Sequence, residues 1–455
     1  MKVRVRVGAA DGGSEIISRT RQRVIKVGEA GASLCGSLIR AASLLLLGVA
    51  ASLAAAAPMH AQAKNSCLDC HAKQTGEFHM DSEEFVASIH AQKGLTCVSC
   101  HGGDSSTDEM SRAMSPAAGF RGHIERKEIP ALCAKCHSDA AYMRNYNPSL
   151  RTDQFSQYQT SVHGKLFGKG DTKTAVCVDC HGVHDIQPPE DQRSKVHPLN
   201  VAQTCGRCHG DAGYMKPYGI NSDQPGDYSA SVHHEALAVR GDLSAPTCST
   251  CHGSHGAAPP GVESVARVCS TCHVFQAQLF DTGPHKEAFG SMGLPGCITC
   301  HSNHRIVHPT DAMIGTGQGA VCLNCHTEGD PGFVTAGALH DDVVQLDGAI
   351  ARSDELLGRA ERAGVEVGEA QLAQSEARND LLKARVGIHA VRREAVQSDI
   401  DAGLKVSAAG LQAGRNAMGE VQYRRKGLLV SVVITIFVLI GLYLMIRKIE
   451  SNNGR

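Results

Sequence analysis

The chain has 455 residues, a formal net charge of −1 and no tryptophan. This length leaves room for about two or three structural units. The balanced charge and the lack of a basic domain exclude nucleic-acid binding as a function. Aromatic residues make up only 4% of the chain. Because large side chains normally fill the core of a protein this long, the composition indicates that something else fills it here.

An apolar run near the N-terminus has the features of a signal peptide. Residues 41–57 are apolar, Arg40 precedes them, and the small residues Ala61 and Ala63 follow them. The run is shorter than a membrane-spanning helix requires. We therefore predict a signal peptide over residues 1–63, cleaved after Ala63, and export of the chain. The stretch before the run is long for a signal peptide, which indicates that the true start codon lies downstream.

Eighteen of the nineteen cysteines lie in nine C-x-x-C-H motifs, and Cys35 lies upstream of all of them. C-x-x-C-H is the attachment signature of c-type haem: the two thiols bond the haem vinyl groups, and the histidine becomes the proximal iron ligand. Zinc ribbons and thioredoxin-type sites also use C-x-x-C, but neither explains a histidine after every pair. We therefore predict nine covalently bound haem c groups. The predicted attachment residues are Cys67, Cys70, His71, Cys97, Cys100, His101, Cys133, Cys136, His137, Cys177, Cys180, His181, Cys205, Cys208, His209, Cys248, Cys251, His252, Cys269, Cys272, His273, Cys297, Cys300, His301, Cys322, Cys325 and His326.

The motifs form a repeat of two haem sites per unit. Units start at Cys67, Cys133, Cys205 and Cys269, and an unfinished unit starts at Cys322. Within a unit, a histidine precedes the second motif, often as S-V-H, and another often follows that motif three residues later. The units are poor in apolar side chains, so we expect the haems to supply the apolar surface that stacked units bury. The predicted fold is mostly α-helical and irregular, and it is built from these repeated two-haem units.

The remaining histidines follow the motifs and are candidates for the second axial position of each iron. Those that the repeat supports are His90, His163, His184, His233, His255, His285 and His304. Two more ligands are expected among six others if every iron is six-coordinate. These are His79, His123, His197, His234, His308 and His340, of which we include His79, His123 and His340 among the predicted metal ligands. His60 falls in the signal segment, and we expect His389 on a helix surface.

The C-terminal part predicts helices followed by a membrane anchor. Residues 336–426 lack cysteine and proline and show helical spacing of apolar residues, and glycines divide them into two or three helices. They form either a solvated stalk or hairpin, or a bundle that packs on the haem domain (residues 64–335) or pairs with a second copy. Residues 427–446 are uncharged and match one membrane crossing. Because haem is attached outside the bacterial cytoplasmic membrane, we expect residues 447–455 to form a cytoplasmic tail.

The motifs resemble those of the periplasmic multihaem c-type cytochromes of bacterial respiration. The resemblance covers about residues 64–340 and rests on the nine C-x-x-C-H motifs, the upstream S-V-H and the downstream C-H-G-x-H. It implies that the additional histidines are distal ligands and that haems pack in pairs. The superfamily includes pentahaem nitrite reductases, octahaem hydroxylamine oxidoreductases and tetrathionate reductases, which also have long C-terminal helices. The C-x-x-C-K motif common in the nitrite reductases is absent from this sequence.

Three functions follow from this pattern. The first is electron relay from a quinol-oxidising membrane subunit to periplasmic or outer-membrane acceptors, including other cytochromes. The second is reduction or oxidation of nitrite, hydroxylamine or a sulfur oxyanion at one open haem. The third is a polymerising haem scaffold. Side chains near such an open haem are expected among Tyr142, Arg144, Tyr146, Tyr214 and Lys216, although the recurrence of the tyrosines in two repeats favours a structural role for them.

Overall fold

The computed structural model describes residues 65–258 and 264–453. The predicted signal peptide, with His60 and Cys35, lies outside the described residues. The described part is helical with irregular connections, and it contains no β-strand. This confirms the predicted fold class.

Short helices make up the haem domain. In chain order they are α1 Ser66–His71, α2 Ser82–Ala87, α3 Ile89–Gln92, α4 Cys97–His101, α5 Met110–Ala113, α6 Ile129–His137, α7 Ala140–Met143, α8 Gln154–Thr160, α9 Val162–Gly168, α10 Cys177–His181, α11 Pro198–His209, α12 Ala212–Met215, α13 Gln224–Ser229, α14 Val232–Ala238, α15 Cys248–His252, α16 Val274–Thr282, α17 His285–Met292 and α18 Gly296–His301. The 3₁₀-helices of this domain are Gly76–Phe78, Pro116–Ala118, Arg126–Glu128, Lys216–Tyr218, Val265–Thr271, Asp311–Met313 and Val321–Asn324.

Three long helices follow the haem domain and pack together as a bundle. They are α19 Pro331–Arg362, α20 Gly368–Gly387 and α21 Glu394–Asn453, with a 3₁₀-turn, Ile388–Ala390, between the last two. The first begins at Pro331, within the stretch assigned to the haem domain from sequence. Short connections between consecutive helices make neighbours antiparallel.

The bundle holds the principal apolar core of the described residues. One cluster joins all three helices near the haem domain and includes Leu339, Leu346, Leu381 and Ile400. A second cluster, around Leu357, lies farther along the bundle. In the haem domain, by contrast, several large apolar side chains are exposed. Among them are Val162, Phe78 and Phe275, which are 64%, 61% and 60% exposed.

Helix α21 continues past the bundle as an apolar rod. Its apolar segment, residues 427–446, contacts no other part of the described chain and is exposed on every side. It is the one helix of the described part that is long and apolar enough to cross a membrane. An apolar helix with no protein partner is stable in a bilayer, where its backbone groups are satisfied internally.

Candidate haem sites

Each C-x-x-C-H motif lies on a short stretch of helix. Seven motifs lie within α-helices, and those at Cys269 and Cys322 begin in 3₁₀-helices. Residues three apart in a helix lie on the same face. The two thiols of a motif therefore point to one side, and the histidine that follows them ends the turn. This is the arrangement that two thioether bonds and one axial ligand to the same haem require.

The motifs of one unit contact each other through their first cysteines. The first cysteines that lie side by side are Cys67–Cys97, Cys133–Cys177, Cys205–Cys248 and Cys269–Cys297. These four pairs are the two-haem units that the sequence repeat defines.

Consecutive units lie next to each other near their second cysteines. Burial raises the pKa of Cys100, Cys180, Cys251 and Cys300, and a thiol of the next unit also raises the pKa of each. The neighbouring thiols are those of Cys136, Cys208, Cys272 and Cys325. Along the chain, neighbouring motifs thus adjoin alternately near their first cysteines and near their second cysteines. The nine motifs form a continuous row in chain order.

Eight motif histidines each face the ring of a second histidine that does not belong to a motif. The pairs are His90–His137, His101–His184, His163–His209, His181–His255, His233–His273, His252–His304, His285–His326 and His301–His389. Their ring centres are 5.9–6.3 Å apart. An imidazole nitrogen binds a metal at about 2 Å and lies about 1.1 Å from its ring centre, so two imidazoles on opposite sides of one iron have ring centres about 6 Å apart. The residues therefore fit haem iron with two axial histidines.

The pairs follow a rule of exchange between units. The histidine before the second motif of a unit faces the first motif of the next unit, as His163 faces His209. The histidine after the second motif faces the second motif of the preceding unit, as His255 faces His181. Seven of the eight pairs obey this rule, and every one of those seven joins two different units. The units are thus interlocked by their histidines.

The serine two residues before the upstream histidine, in S-I-H or S-V-H, caps a helix. Ser88, Ser161 and Ser231 are buried, and each caps the helix that carries the upstream histidine. The Ser161 hydroxyl accepts a hydrogen bond from the Gly164 amide at 3.0 Å. The cap fixes the start of the helix, and with it the direction of the histidine two residues later.

Backbone hydrogen bonds hold the two exchanged histidines of neighbouring units side by side. The Ile89 amide, next to His90, donates to the Ile186 carbonyl at 2.9 Å. The Val232 amide, next to His233, donates to the Ile306 carbonyl at 2.9 Å. Ile186 and Ile306 each follow a downstream histidine by two residues, so the same bond recurs at two junctions of the row.

Hydrogen bonds and burial prepare these histidines to bind iron. The Nδ1 atoms of His101 and His389 lie 2.9 Å and 2.8 Å from the carbonyl oxygens of Gly122 and Val386. A hydrogen bond at Nδ1 leaves Nε2 as the metal-binding atom. Burial lowers the pKa of His163, and it lowers that of His181 to about 4. Both are therefore neutral at physiological pH, which is the form that ligates a metal.

His389 differs from its expected place on a helix surface. It lies in the 3₁₀-turn between α20 and α21, is half-buried, and faces His301 at 6.0 Å. Val391, directly after the turn, has a φ of 50°, a conformation that is strained for a β-branched residue. No C-x-x-C-H motif lies close to His389 in the sequence, so sequence reasoning missed it. One signal was available: the unfinished fifth unit has no downstream histidine for the eighth haem.

The other predicted ligands have different neighbours. His79 is exposed, and its Nδ1 lies 3.1 Å from the Gln74 carbonyl oxygen. His123 is exposed. The Nδ1 atom of His340 lies 3.2 Å from an Asp341 carboxylate oxygen. The structure places none of these three opposite a motif histidine within the described residues, and their role as iron ligands stays a prediction.

The tyrosines considered for an open site are part of the repeat's framework. Tyr142 contacts Tyr146 through their hydroxyl groups, 3.2 Å apart, on the surface. The Tyr214 hydroxyl donates a hydrogen bond to the Lys173 carbonyl. Tyr142 and Tyr214 precede Met143 and Met215, which are buried at equivalent positions of two units. These contacts are structural.

The bundle packs against the end of the haem domain beside the eighth and ninth motifs. Arg385 of α20 forms a bidentate ion pair with Asp311, with contacts of 2.9 Å and 2.6 Å. Gly283 lies so close to the turn at Ala390 that an added Cβ would be 2.6 Å from the Ala390 carbonyl oxygen. Of the alternatives left open by sequence, the structure therefore has a bundle that packs on the haem domain.

Two protein-family models match the chain. The cytochrome c3 model matches residues 89–210, and the doubled CXXCH motif model matches residues 292–331. Searches of curated proteins and of solved structures found no match. Both matched segments lie inside the row of C-x-x-C-H motifs, one toward each end. With the paired histidines and the helical fold, they identify the chain as a multihaem c-type cytochrome.

Proposed function

We propose that this cytochrome binds nine haem c groups and relays electrons along them between a membrane-bound donor and acceptors outside the cytoplasmic membrane. The observation that carries the proposal is the set of eight histidine pairs with ring centres 5.9–6.3 Å apart. Bound haem supplies one-electron chemistry at iron. A row of motifs that adjoin in chain order supports transfer from one site to the next.

The protein's part in this chemistry is to hold two imidazoles rigidly at each of these eight sites. With haem bound, the two histidines of each pair would both ligate the iron, which would keep substrates away from it and limit rearrangement when its charge changes. The capped helices and the bonds between units fix the rings before and after transfer. Burial keeps the second imidazole neutral at sites such as that of His163.

The chain's location and partners belong to the same proposal. Haem attachment outside the cytoplasmic membrane supports a periplasmic haem domain with α21 as a single anchor and residues 447–455 in the cytoplasm. The bundle joins this anchor to the haem domain beside the last two motifs, through Arg385 and Asp311. We take those motifs as the entry for electrons. Because residues 394–426 of α21 span about 50 Å, a quinol-oxidising donor must extend from the membrane along the bundle to reach them. The anchor segment itself has no histidine to bind a further haem.

Two adjacent histidines provide a sharp test of the axial pairs. His233 faces His273, whereas the ring of His234 packs edge-on against Tyr228 with ring centres 5.4 Å apart. We expect His233→Ala to convert one haem of the folded protein from low-spin to high-spin, because His273 loses its opposing imidazole. His234→Ala, the matched control, leaves the spin states unchanged. Low-temperature EPR of the oxidised protein measures both.

The outcome bears directly on the relay. If His233→Ala retains every low-spin haem of the parent protein, the paired rings are not axial ligands and the proposal loses its main support. If His234→Ala gives the high-spin haem instead, the assignment at this site is wrong. Mass spectrometry of both variants verifies that the same number of haems is attached.

A further inference from the structure

The first motif of the row stands apart from the other eight. Within the described residues, no other histidine ring contacts that of His71. Its Nδ1 lies 2.9 Å from the Phe78 carbonyl oxygen, which leaves Nε2 for iron as at the other motifs. The motif also belongs to the row, because the side chain of Cys67 lies beside that of Cys97. The site is therefore built for haem, and within the described residues no second histidine ring faces its proximal histidine.

The exchange rule explains why this happens at the first motif. The first haem of each later unit is faced by the upstream histidine of the unit before it: His90, His163, His233 and His285 serve His137, His209, His273 and His326. Residues 1–66 contain no C-x-x-C-H motif, so they supply no upstream histidine of this repeat to the site at His71. At the other end, the eighth motif lacks a following unit's histidine, and His389 of the bundle takes that place. Within the described residues, no histidine takes the corresponding place opposite His71.

Among the described residues, several around this motif are exposed to solvent. Cys70 is exposed, and Phe78 is 61% exposed. The histidine nearest in sequence, His79, is exposed and has its Nδ1 at the Gln74 carbonyl oxygen rather than its ring at His71. As far as the described residues are concerned, a small molecule can therefore reach this end of the row from solvent.

We propose that the haem held by His71 has an exchangeable sixth position and binds small exogenous iron ligands, namely diatomic molecules when reduced and small anions when oxidised. The proposal rests on haem attachment as set out above and adds a ligand-binding site to the relay. It assigns the open haem to the end of the row farthest along the chain from the membrane anchor. Electrons that enter near the bundle would reach it last.

Carbon monoxide is the probe for the full-length protein with all its haems attached. We expect the dithionite-reduced protein to bind one equivalent of carbon monoxide per chain, seen as a shift of the Soret band. The oxidised protein should show one high-spin haem equivalent by EPR. His163→Ala, which removes the ring opposite His209, should double both signals and calibrates them. A variant without the first site, Cys67→Ala/Cys70→Ala/His71→Ala, should lose carbon monoxide binding.

The carbon monoxide and EPR measurements on the unaltered protein test the proposal even if the triple variant does not fold. If the haems are all attached and all low-spin, and carbon monoxide causes no shift, the proposal is wrong and the relay still stands. In that case, variants identify the residue that occupies the sixth position of the iron. If carbon monoxide binds only in His60→Ala, His79→Ala or His123→Ala, that histidine is the sixth ligand and the proposal is wrong. Loss of low-spin signals at many haems would instead contradict the proposed relay.

Discussion

At the scale of single residues, the turn after the second motif of each unit determines where the downstream histidine points. Gly182 follows His181 with φ 84° and ψ −173°, a region that glycine occupies almost alone. The turn ends the motif helix and reverses the chain, so that His184 reaches the preceding unit. Ser302 occupies the equivalent position after His301 with φ 62° and ψ −172°. Ser302 therefore carries backbone strain that its glycine counterpart avoids.

Exchanging these two residue types should move stability in opposite directions. Ser302→Gly is expected to stabilise the folded protein by about 1 kcal/mol, because it removes the strain, and Gly182→Ser is expected to destabilise it by about 1–3 kcal/mol. An added Cβ at Gly182 would also lie 2.3 Å from an Asp185 carboxylate oxygen. Thermal unfolding followed by circular dichroism measures both. A lower melting temperature for Ser302→Gly would show that contacts of the serine side chain stabilise the folded protein by more than the backbone strain destabilises it.

At the scale of elements, the helices of the bundle pack closely at glycines that were expected from the sequence to interrupt helices. Gly364 ends α19 with φ 79°, but Gly403 and Gly410 lie inside α21. An added Cβ at Gly410 would be 2.2 Å from the Gln374 amide nitrogen and 2.4 Å from the Ser353 hydroxyl. Both of those side chains are fully buried. Glycine at this position lets three helices approach around a polar layer between the two apolar clusters.

The packing predicts opposite effects of one substitution at two positions of α21. Gly410→Ala is expected to destabilise the bundle by about 1–3 kcal/mol through overpacking. Gly419→Ala, the matched control, meets no atom within 4 Å and should stabilise the helix. The gain there is expected to be about 1 kcal/mol or less. Chemical denaturation followed by the helical signal checks both, and equal effects at the two positions would contradict the close approach of the helices.

At the scale of the whole molecule, the haem domain is a row of units whose ligands cross every junction. The sequence predicted the attachment motifs, the two-haem repeat, the apolar C-terminal helix and the seven histidines whose rings the structure places opposite motif histidines. It could not predict the partners, because His163 and His209 belong to different units and meet only when the units stack. It also missed His389, whose place depends on how the bundle packs on Gly283 and Asp311 rather than on any local pattern.

The row therefore has two unlike ends. At the C-terminal end, His389 and the Arg385–Asp311 ion pair tie the bundle, and with it the membrane anchor, to the haem domain. At the N-terminal end, His71 has no ring opposite it within the described residues. The proposed path of electrons runs between these ends, from the anchored and closed end to the open one.

The measurement that tests this account most directly is low-temperature EPR of full-length His389→Ala beside His340→Ala. His389 faces His301 at 6.0 Å, whereas His340 contacts Asp341. We predict that His389→Ala adds one high-spin haem equivalent to the signal of the parent protein and that His340→Ala adds none. A high-spin haem in His340→Ala and none in His389→Ala would show that the bundle does not supply the ligand of the eighth haem, and would contradict the exchange of ligands on which the relay is built.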